Sequence, residues 1–349
     1  MHSALRAIAY HLPEHTLSSA GLSAEFPDWS VERIDSKTGI HARHIAAPDE
    51  CASDLAVAAA RKLFATGVVA PEDIDFVLFC TQSPDYFLPT TACLLQDRLG
   101  IPTTAGALDF NLGCSGYVYG LGLVEGLIAS GQARSVLLLT GETYSKYMHP
   151  GDRSVRTIFG DAASATWLTS NEAASFGPFV YGTDGSGGQH LIVPAGGMRA
   201  RLDEAAAIAT TDSQGNVRSP SNLFMDGREV FSFTLTAVPQ SVNGVLEKAG
   251  LSLDDIDLFV FHQANRFMLD HLRKQLHIPA EKFFLAFEHC GNTVSSTIPI
   301  ALNHAALAGR LPQGAVVMLV GFGVGLSWAA TIYRVTALVT TPAADPSWA

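Results

Sequence analysis

A cysteine at the start of a predicted helix is the residue of this sequence best suited to nucleophilic chemistry. Cys114 follows an apolar approach that ends in Gly113, and the small and apolar residues from Tyr117 to Ile128 predict a buried helix. A thiol in the first turn of a helix meets the positive end of the helix dipole and free backbone N–H groups, and both favour the thiolate. We therefore predict that Cys114 is a thiolate nucleophile.

A histidine and an asparagine far downstream have surroundings that suit acyl transfer. His262 ends a buried-strand pattern, residues 257–261, and Asn292 follows a second apolar run, residues 284–287. A cysteine with a histidine and an asparagine elsewhere in the chain is the usual make-up of a thiol-based acyl-transfer site. The strands and helices around these residues must bring three distant parts of the chain together.

Length and composition predict a large buried core. The chain has 349 residues, of which 48% are hydrophobic and 16% charged, enough for one large domain or two closely packed halves. No run approaches the roughly 20 apolar residues that span a bilayer. Residues 1–10 lack the basic and apolar regions of a signal peptide, so we expect a first strand there.

The cysteines and the net charge of the chain indicate its cellular compartment and exclude some classes of binding partner. Five cysteines without regular spacing argue against a disulfide framework and for a reducing cytoplasm. No cysteine or histidine cluster has zinc spacing, so we expect no metal. The net charge of −11 disfavours nucleic acid or an anionic membrane as partner. An acidic protein partner would need a local basic patch.

The two halves of the sequence repeat each other. Three pairs of segments correspond in the same order: residues 71–80 with 253–262, 108–110 with 285–287, and 135–141 with 315–321. Strands that alternate with helices imply parallel sheets covered on both faces. We predict an N-terminal half (residues 1–170) that carries Cys114, connecting and substrate-entrance loops (171–222), and a C-terminal half (223–349) that carries His262 and Asn292. The tail from residue 336 to 349 is expected to be irregular.

Five motifs in order give the sequence a resemblance to a known family. They are NLGCSG around Cys114, IFGDAA at 158–163, MDGREVF at 225–231, FHQAN at 261–265 and CGNT at 290–293. In these motifs the chain resembles the thiolase-like condensing enzymes, and more narrowly the beta-ketoacyl-[acyl-carrier-protein] synthase III family. The resemblance implies a duplicated thiolase-like α/β fold, layered α/β/α/β/α with two mixed five-stranded sheets, and a homodimer.

The resemblance also implies roles for residues of the site. Cys114 would carry the acyl group, while His262 and Asn292 would donate hydrogen bonds to the malonyl thioester oxygen as carbon dioxide leaves. The backbone N–H of Val324 would complete an oxyanion hole with that of Cys114. The family has glycine where this chain has Val324, which matters only if the position needs a positive φ. Further residues implied at the site are Phe322 and Asn265, and Leu88 at the border of the partner subunit's acyl tunnel.

Substrate-binding residues are implied less directly. Arg153 matches an arginine that contacts the nucleotide end of coenzyme A, but the family's adenine-stacking tryptophan aligns with Arg33, and its nearby arginine with Lys37. Arg33 could stack through its planar guanidinium, so coenzyme A and a carrier protein both stay open as acyl donor. A predicted helix after His262 carries a basic cluster that would suit an acidic acyl-carrier protein or form an ordinary solvated face: Arg266, Arg273 and Lys274.

The predicted function is a decarboxylative Claisen condensation of an acyl thioester with a malonyl thioester, by way of acyl-Cys114. The pathway, fatty-acid initiation or a specialised route, stays open. Coenzyme A or carrier-protein pantetheine enters with the substrates, so no metal, nicotinamide or flavin is expected. One alternative is an acyltransferase that moves the acyl group to a hydroxyl or amine, with His262 as base. Another is a non-catalytic partner subunit, which would typically have lost the thiol or the histidine.

Overall fold

A computed structural model describes residues 1–343. Within them the strands are β1 (His2–His11), β2 (His15–Ser18), β3 (Ala42–Ile45), β4 (Phe76–Cys80), β5 (Gly106–Phe110), β6 (Ser135–Glu142), β7 (Ala162–Asn171), β8 (Phe176–Thr183), β9 (Leu191–Ile192), β10 (Thr210–Thr211), β11 (Val217–Arg218), β12 (Phe224–Met225), β13 (Leu258–Phe261), β14 (Val316–Gly323), β15 (Ser327–Arg334) and β16 (Val339–Thr340). The helices are α1 (Ser19–Glu25), α2 (Val31–Thr38), α3 (Ala52–Phe64), α4 (Thr91–Arg98), α5 (Gly116–Ala129), α6 (Arg153–Arg156), α7 (Gly227–Ala249), α8 (Arg266–Gln275) and α9 (Thr297–Leu307).

Two mixed sheets dominate the described residues. The larger has six strands in the order β16-β1-β7-β6-β4-β5, and the smaller has four in the order β13-β14-β15-β8. In the larger sheet β4 runs parallel to both β5 and β6, while β7 is antiparallel to β6 and β1. In the smaller, β13 is parallel to β14, and β15 is antiparallel to β14 and β8. The sequence of directions in β4-β6-β7-β1 therefore recurs in β13-β14-β15-β8.

The expectation of two five-stranded sheets is not met. The larger sheet gains β16, which pairs with β1 in the part of the chain predicted to be irregular, while residues 344–349 of that tail lie outside the described residues. The smaller sheet lacks a full fifth strand, because Phe283 makes only an isolated bridge to Phe259. Beyond this bridge the side-chain amide of Gln263 bonds the backbone of Phe284 and Ala286 and takes the place of a strand partner.

Matching acidic turns show the repeat at the level of single hydrogen bonds. The side chain of Asp75 accepts from the backbone N–H of Arg134 and Ser135 at 2.8 and 3.0 Å. In the second half, Asp257 accepts from the N–H of Val316 at 2.8 Å. Each aspartate precedes a strand and fixes the start of the next strand of its sheet. The predicted correspondence of the two segments is thus present in the structure.

Helices separate and cover the two sheets. α5 and α9 lie between them in a core that joins residues of both sheets, including Leu121, Leu138, Leu302 and Leu319. α3 packs on the outer face of the larger sheet, and α7 with α8 on the outer face of the smaller one. α5 is apolar on most of its circumference, as expected for a helix buried between two sheets. Within residues 1–343 no helix combines the length and the apolar character needed to cross a bilayer.

Candidate active site

Cys114 lies where the two halves meet. It follows the loop after β5 and directly precedes the Ser115 cap and first turn of α5. A Cβ atom added to Gly323, at the end of β14, would lie 2.8 Å from the Cβ of Cys114 and 2.9 Å from its Sγ. Only glycine permits this approach, so the strand of the second half closes over the thiol of the first. The predicted helix after Cys114 is confirmed.

His262 is held at the end of β13 with one ring nitrogen engaged. Its backbone N–H donates to Val320 O at 2.7 Å, which continues the pairing of β13 with β14. Its Nδ1 lies 2.7 Å from the hydroxyl of Thr297 in the first turn of α9. The ring of Phe322 stands edge-on to the imidazole at 5.4 Å between centroids. These contacts leave Nε2 as the nitrogen that faces the pocket, with the side-chain amide of Asn292 as its neighbour at 3.4 Å.

Asn292 is oriented by its own turn. Its backbone N–H donates to Ile158 O at 2.9 Å, and its carbonyl accepts from Gly160 N at 3.0 Å, so the turn is tied to the first half. The side-chain Oδ1 accepts from Val294 N at 2.9 Å. This bond fixes the amide so that Nδ2 lies 3.4 Å from Nε2 of His262. Two side-chain nitrogens from different elements therefore converge on one point.

One buried pocket is lined by all three predicted catalytic residues. Cys114, His262 and Asn292 are each less than 5% exposed and face it together. Its other walls are mainly apolar and include Phe159, Leu191, Met225, Val230, Met268 and Phe322. A mainly apolar enclosure strengthens hydrogen bonds to any charge that develops inside it.

Burial opposes the expected ionised state of the thiol. Burial is the main cause that raises the pKa of Cys114 to about 12, and the nearby Glu142 side chain adds to it. The backbone N–H groups of Val324 and Cys114 lower this pKa, but by less. Burial thus favours the protonated thiol in the resting site and opposes the helix terminus, which favours the thiolate. The helix terminus does face the sulfur, but removal from water outweighs it. Burial also lowers the pKa of His262 to about 3, so the imidazole is neutral.

The loop after β14 places Val324 where the oxyanion donor was predicted. Its backbone N–H points at the sulfur of Cys114 and, together with the N–H of Cys114 itself, favours negative charge there. The positive φ of this loop, 140°, belongs to Gly325 and not to Val324, so valine causes no backbone strain. The strained residue lies elsewhere: Val294 has a φ of 56°, in a region that β-branched residues rarely occupy.

The remaining predicted lining residues divide into two groups. Phe322 and Asn265 line the pocket, and Asn265 also caps α8 by accepting from Met268 N at 2.9 Å. Leu88 is 82% exposed on a loop with Phe87 and does not line this pocket.

The predicted nucleotide-binding residues gather around Trp29, which the sequence analysis did not identify. The charged groups of Arg33, Lys37 and Arg153 lie 4.8, 5.0 and 5.4 Å from the ring centroid of Trp29. Trp29 was overlooked because Arg33 takes the position of the family's tryptophan. Trp29 lies four residues before Arg33 and eight before Lys37, directly ahead of the Ser30 cap of α2. An aromatic ring among three cations can stack a base and bind phosphates.

The predicted docking cluster on α8 is partly engaged within the chain. Arg266 pairs with Glu288, and Arg273 donates to Ile278 O at 3.0 Å, in the loop beyond the end of α8. Lys274 is exposed. The role of this cluster in binding a carrier protein stays a prediction.

Comparisons with known proteins match one enzyme family over most of the chain. Residues 108–185 match the family described as 3-oxoacyl-[acyl-carrier-protein (ACP)] synthase III, and residues 246–335 match its C-terminal part. A beta-ketoacyl-[acyl-carrier-protein] synthase III of Caldanaerobacter subterraneus is 35% identical over 326 residues, 93% of this chain and 95% of the relative.

Solved structures agree with these sequence matches. A 3-oxoacyl-(acyl-carrier-protein) synthase III is 55% identical, with a TM-score of 0.95 over 96% of this chain and 100% of the other. The 3-oxoacyl-(acyl-carrier protein) synthase of Burkholderia xenovorans LB400 is 37% identical, with a TM-score of 0.88 over 98% of this chain and 97% of the other.

The fold and these matches define a thiolase-like condensing enzyme. More narrowly, the chain belongs to the beta-ketoacyl-[acyl-carrier-protein] synthase III family and is an acyltransferase. The resemblance inferred from the five sequence motifs is thereby confirmed.

Proposed function

We propose that this protein condenses an acyl primer with a malonyl group carried by an acyl-carrier protein, as in the initiation of fatty-acid synthesis. The observation that carries the proposal is the convergence of Cys114, His262 and Asn292 on one buried, mainly apolar pocket. Family membership supplies the reaction class. A non-catalytic subunit has no need for all three groups in this arrangement.

The first half-reaction moves the acyl group to the enzyme. Cys114 sulfur attacks the carbonyl carbon of the primer thioester, and the resulting oxyanion accepts hydrogen bonds from the N–H groups of Cys114 and Val324. The carbon–sulfur bond of the donor then breaks. Because the thiol of Cys114 starts protonated, its proton leaves with the departing thiol, and charge balances over the step.

The second half-reaction creates and uses a carbanion. The carbon–carboxylate bond of the malonyl thioester breaks, carbon dioxide leaves, and the electron pair passes to an enolate whose oxygen is negative. The convergent Asn292 Nδ2 and His262 Nε2 can both donate to that oxygen when the imidazole is in the tautomer that carries its proton on Nε2. In that tautomer the Thr297 hydroxyl turns its hydrogen from Val294 O, to which it donates at 3.1 Å, towards Nδ1. The carbanion attacks the acyl carbon, and the Cys114 sulfur leaves as the thiolate while the β-ketoacyl product forms. A proton taken up from solvent then restores the thiol.

Coenzyme A is supported as donor of the primer by the cluster of Arg33, Lys37 and Arg153 around Trp29. The malonyl group would arrive on an acidic carrier protein, for which Lys274 and the neighbouring arginines remain candidates. The five free cysteines suit a reducing cytoplasm.

The function is tested by mixing the protein with an acyl-coenzyme A and malonyl carrier protein. Carbon dioxide release and a β-ketoacyl carrier product are expected together. Transfer of the acyl group to a hydroxyl or amine without carbon dioxide would favour the rival acyltransferase.

Trp29→Ala is expected to raise the KM for acyl-coenzyme A about tenfold with little change in kcat, because stacking and cation–π contacts of 1–2 kcal/mol would be lost. The matched substrate is the same acyl group on a short pantetheine that lacks the nucleotide. Its KM should not change. An equal rise for both thioesters would show that Trp29 only supports the local fold.

We further propose a homodimer formed along the free edge of the larger sheet. β5 is the edge strand, and its Leu108 is 47% exposed. The loop that carries Tyr86, Phe87 and Leu88 leads into α4, whose first residues, Thr91 and Ala92, donate to the side chain of Asp109 in β5. These three side chains are 62%, 82% and 82% exposed, an unusual run of apolar residues at a surface. A second copy across this edge would cover these side chains and bring Leu88 to the partner's site.

Leu88→Asp is expected to convert a dimer into a monomer or to weaken the dimer strongly, because it would bury a carboxylate in an apolar interface. Light scattering at micromolar concentration measures the mass. Met198→Asp is the control, since Met198 is equally exposed at 82% but lies in the 193–223 segment. A monomeric wild type, or equal weakening by both changes, would count against this interface.

A further inference from the structure

Arg43 in β3 is a fully buried cation that has no part in the proposed reaction. Its Nε donates to Thr157 O at 3.1 Å, and its two terminal nitrogens donate to Ile40 O at 3.1 Å and to Ser19 Oγ at 3.2 Å. Burial lowers the pKa of Arg43 to about 10, with Asp35 acting in the opposite direction, so the guanidinium stays charged at neutral pH. A buried charge is costly unless its donors are satisfied, and here backbone carbonyls and a hydroxyl satisfy them.

The guanidinium joins the two helices that carry the cations around Trp29. Ile40 lies two residues after the end of α2, and Thr157 caps the end of α6. α2 and α6 supply the three cations of this cluster: Arg33, Lys37 and Arg153. A guanidinium is planar and rigid, so its bonds to both carbonyls fix the distance between the two helix ends. The spacing of the cations around Trp29 therefore depends on Arg43.

The aliphatic stem of Arg43 packs against the turn that bears Asn292. A Cβ atom added to Gly291 would lie 3.1 Å from the Cγ of Arg43, and one added to Gly160 would lie 3.5 Å from its Cβ. These two glycines belong to the segments that hold Asn292, because Asn292 N donates to Ile158 O and Gly160 N donates to Asn292 O. The stem therefore limits how far the turn of Asn292 can move.

Thr157 connects the nucleotide-binding cluster with the turn of Asn292 along the chain. Its N–H and its hydroxyl both donate to Arg153 O, at 3.3 and 2.9 Å. The next residue, Ile158, accepts from Asn292 N. A shift of Thr157 would therefore move Arg153 and Asn292 together. Two nitrogens of Arg43 donate to Thr157 O and oppose such a shift.

We propose that Arg43 is a positioning residue that holds the nucleotide-binding cluster around Trp29 and the catalytic amide of Asn292 in place through one shared set of hydrogen bonds. The inference rests on the proposed function and adds a positioning residue to its site. Arg43 is fully buried and does not line the pocket, so it acts through Thr157 and Gly291 and not by contact with a substrate.

Loss of the guanidinium should act mainly on the α6 side. Ile40 O keeps the bond from Ser19 Oγ at 3.0 Å, whereas Thr157 O loses both nitrogens of Arg43. An unsatisfied buried carbonyl carries a penalty that corresponds to a factor on the order of tenfold. The segment can relieve this penalty by moving Thr157 toward water, which displaces Arg153 and Asn292 from their positions.

The experiment compares Arg43→Met, which keeps an unbranched stem without a donor, with Arg43→Lys, which keeps a charged donor. The first measurement is the KM for an acyl-coenzyme A and for the same acyl group on a short pantetheine. The second is carbon dioxide release from malonyl pantetheine. All rates are expressed per Cys114 that can be acylated, so loss of folded protein does not change them. The control is Arg6→Met, since Arg6 is a half-buried arginine that donates to side chains of β7.

Arg43→Met is expected to raise the KM for acyl-coenzyme A and to lower carbon dioxide release, each on the order of tenfold. The KM for the acyl pantetheine should stay near the wild-type value, because this substrate lacks the nucleotide. Arg43→Lys should recover part of both losses, and Arg6→Met should behave as wild type.

Two outcomes would overturn the positioning role while Cys114 acylation continues. One is an unchanged KM for acyl-coenzyme A together with unchanged carbon dioxide release. The other is an equal rise in KM for both acyl thioesters. If Arg43→Met does not fold, the same two measurements on Arg43→Lys decide. Absence of acylation and of carbon dioxide release in wild type would instead overturn the proposed function, and the positioning role with it.

Discussion

Replacing Cys114 by alanine is expected to abolish covalent acyl loading, so that no acylated protein is detected. The acyl group needs a sulfur to form the thioester. Among the described residues that line the pocket, the nucleophilic groups are the thiol of Cys114 and the neutral imidazole of His262. Alanine is slightly smaller than cysteine, so the buried position should tolerate it. Intact-protein mass spectrometry after incubation with an acyl thioester measures the loading.

Cys80→Ala is the matched control for this change. Cys80 is also fully buried, and its thiol donates to Leu112 O at 3.0 Å in the loop that leads to Cys114. It lies beneath the first turn of α5, where a Cβ on Gly116 would meet its sulfur. Loading should survive this replacement. Stoichiometric loading of Cys114→Ala, by contrast, would remove Cys114 as the nucleophile.

Residues at the ends of strands were predictable from the sequence because of the repeat. The apolar runs before Cys114 and His262 are strands of parallel pairs, whose carboxyl ends meet at one edge of a sheet. Asn292 was predicted at the site from its motif and from the apolar run before it. In the structure this part of the chain makes one isolated β-bridge, between Phe283 and Phe259, and forms no strand. A side-chain amide, that of Gln263, does the pairing there, and such a replacement leaves no periodic signal in the sequence.

The ionisation of the thiol could not be predicted from local sequence. The helix that follows Cys114 suggested a thiolate, but the sulfur is covered by Gly323, which is 209 positions further along the chain. Burial of this kind comes from tertiary packing and outweighs the dipole of one helix end. The same holds for Trp29, whose neighbour Arg153 belongs to a distant element.

From the sequence, backbone strain at Val324 depended on whether that residue needs a positive φ. The sequence drew attention to Val324 because glycine is usual there, yet the positive φ falls on Val294, beside Asn292. A non-glycine residue in this region costs about 1–3 kcal/mol. At Val294 the conformation brings its N–H to Asn292 Oδ1 and so aims the amide at His262. Local pattern identifies the residue types of a site, whereas their orientation depends on such turns.

His262→Ala and Asn292→Asp are expected to lower decarboxylation of a malonyl thioester on the order of 10²-fold or more each, as when an oxyanion donor is removed. Asn292→Asp keeps the size and the acceptor for Val294 N but replaces the donor by an oxygen, and His262→Ala removes the other donor. Both variants should still acylate Cys114 measurably, because the N–H groups of Cys114 and Val324 remain. Carbon dioxide release from malonyl pantetheine is the measurement.

The pH dependence and a control variant distinguish loss of the His262 hydrogen bond to the enolate from disruption of the local fold. Because burial lowers the pKa of His262 to about 3, the imidazole is neutral at every pH above that value and becomes protonated only as the pH falls toward it. The wild-type rate of carbon dioxide release should therefore show no step near 6.5, the ordinary histidine value. His271→Ala, an exposed histidine that packs against Phe231, should decarboxylate as wild type does. Normal decarboxylation by both His262→Ala and Asn292→Asp would rule out the enolate-stabilising role of this pair.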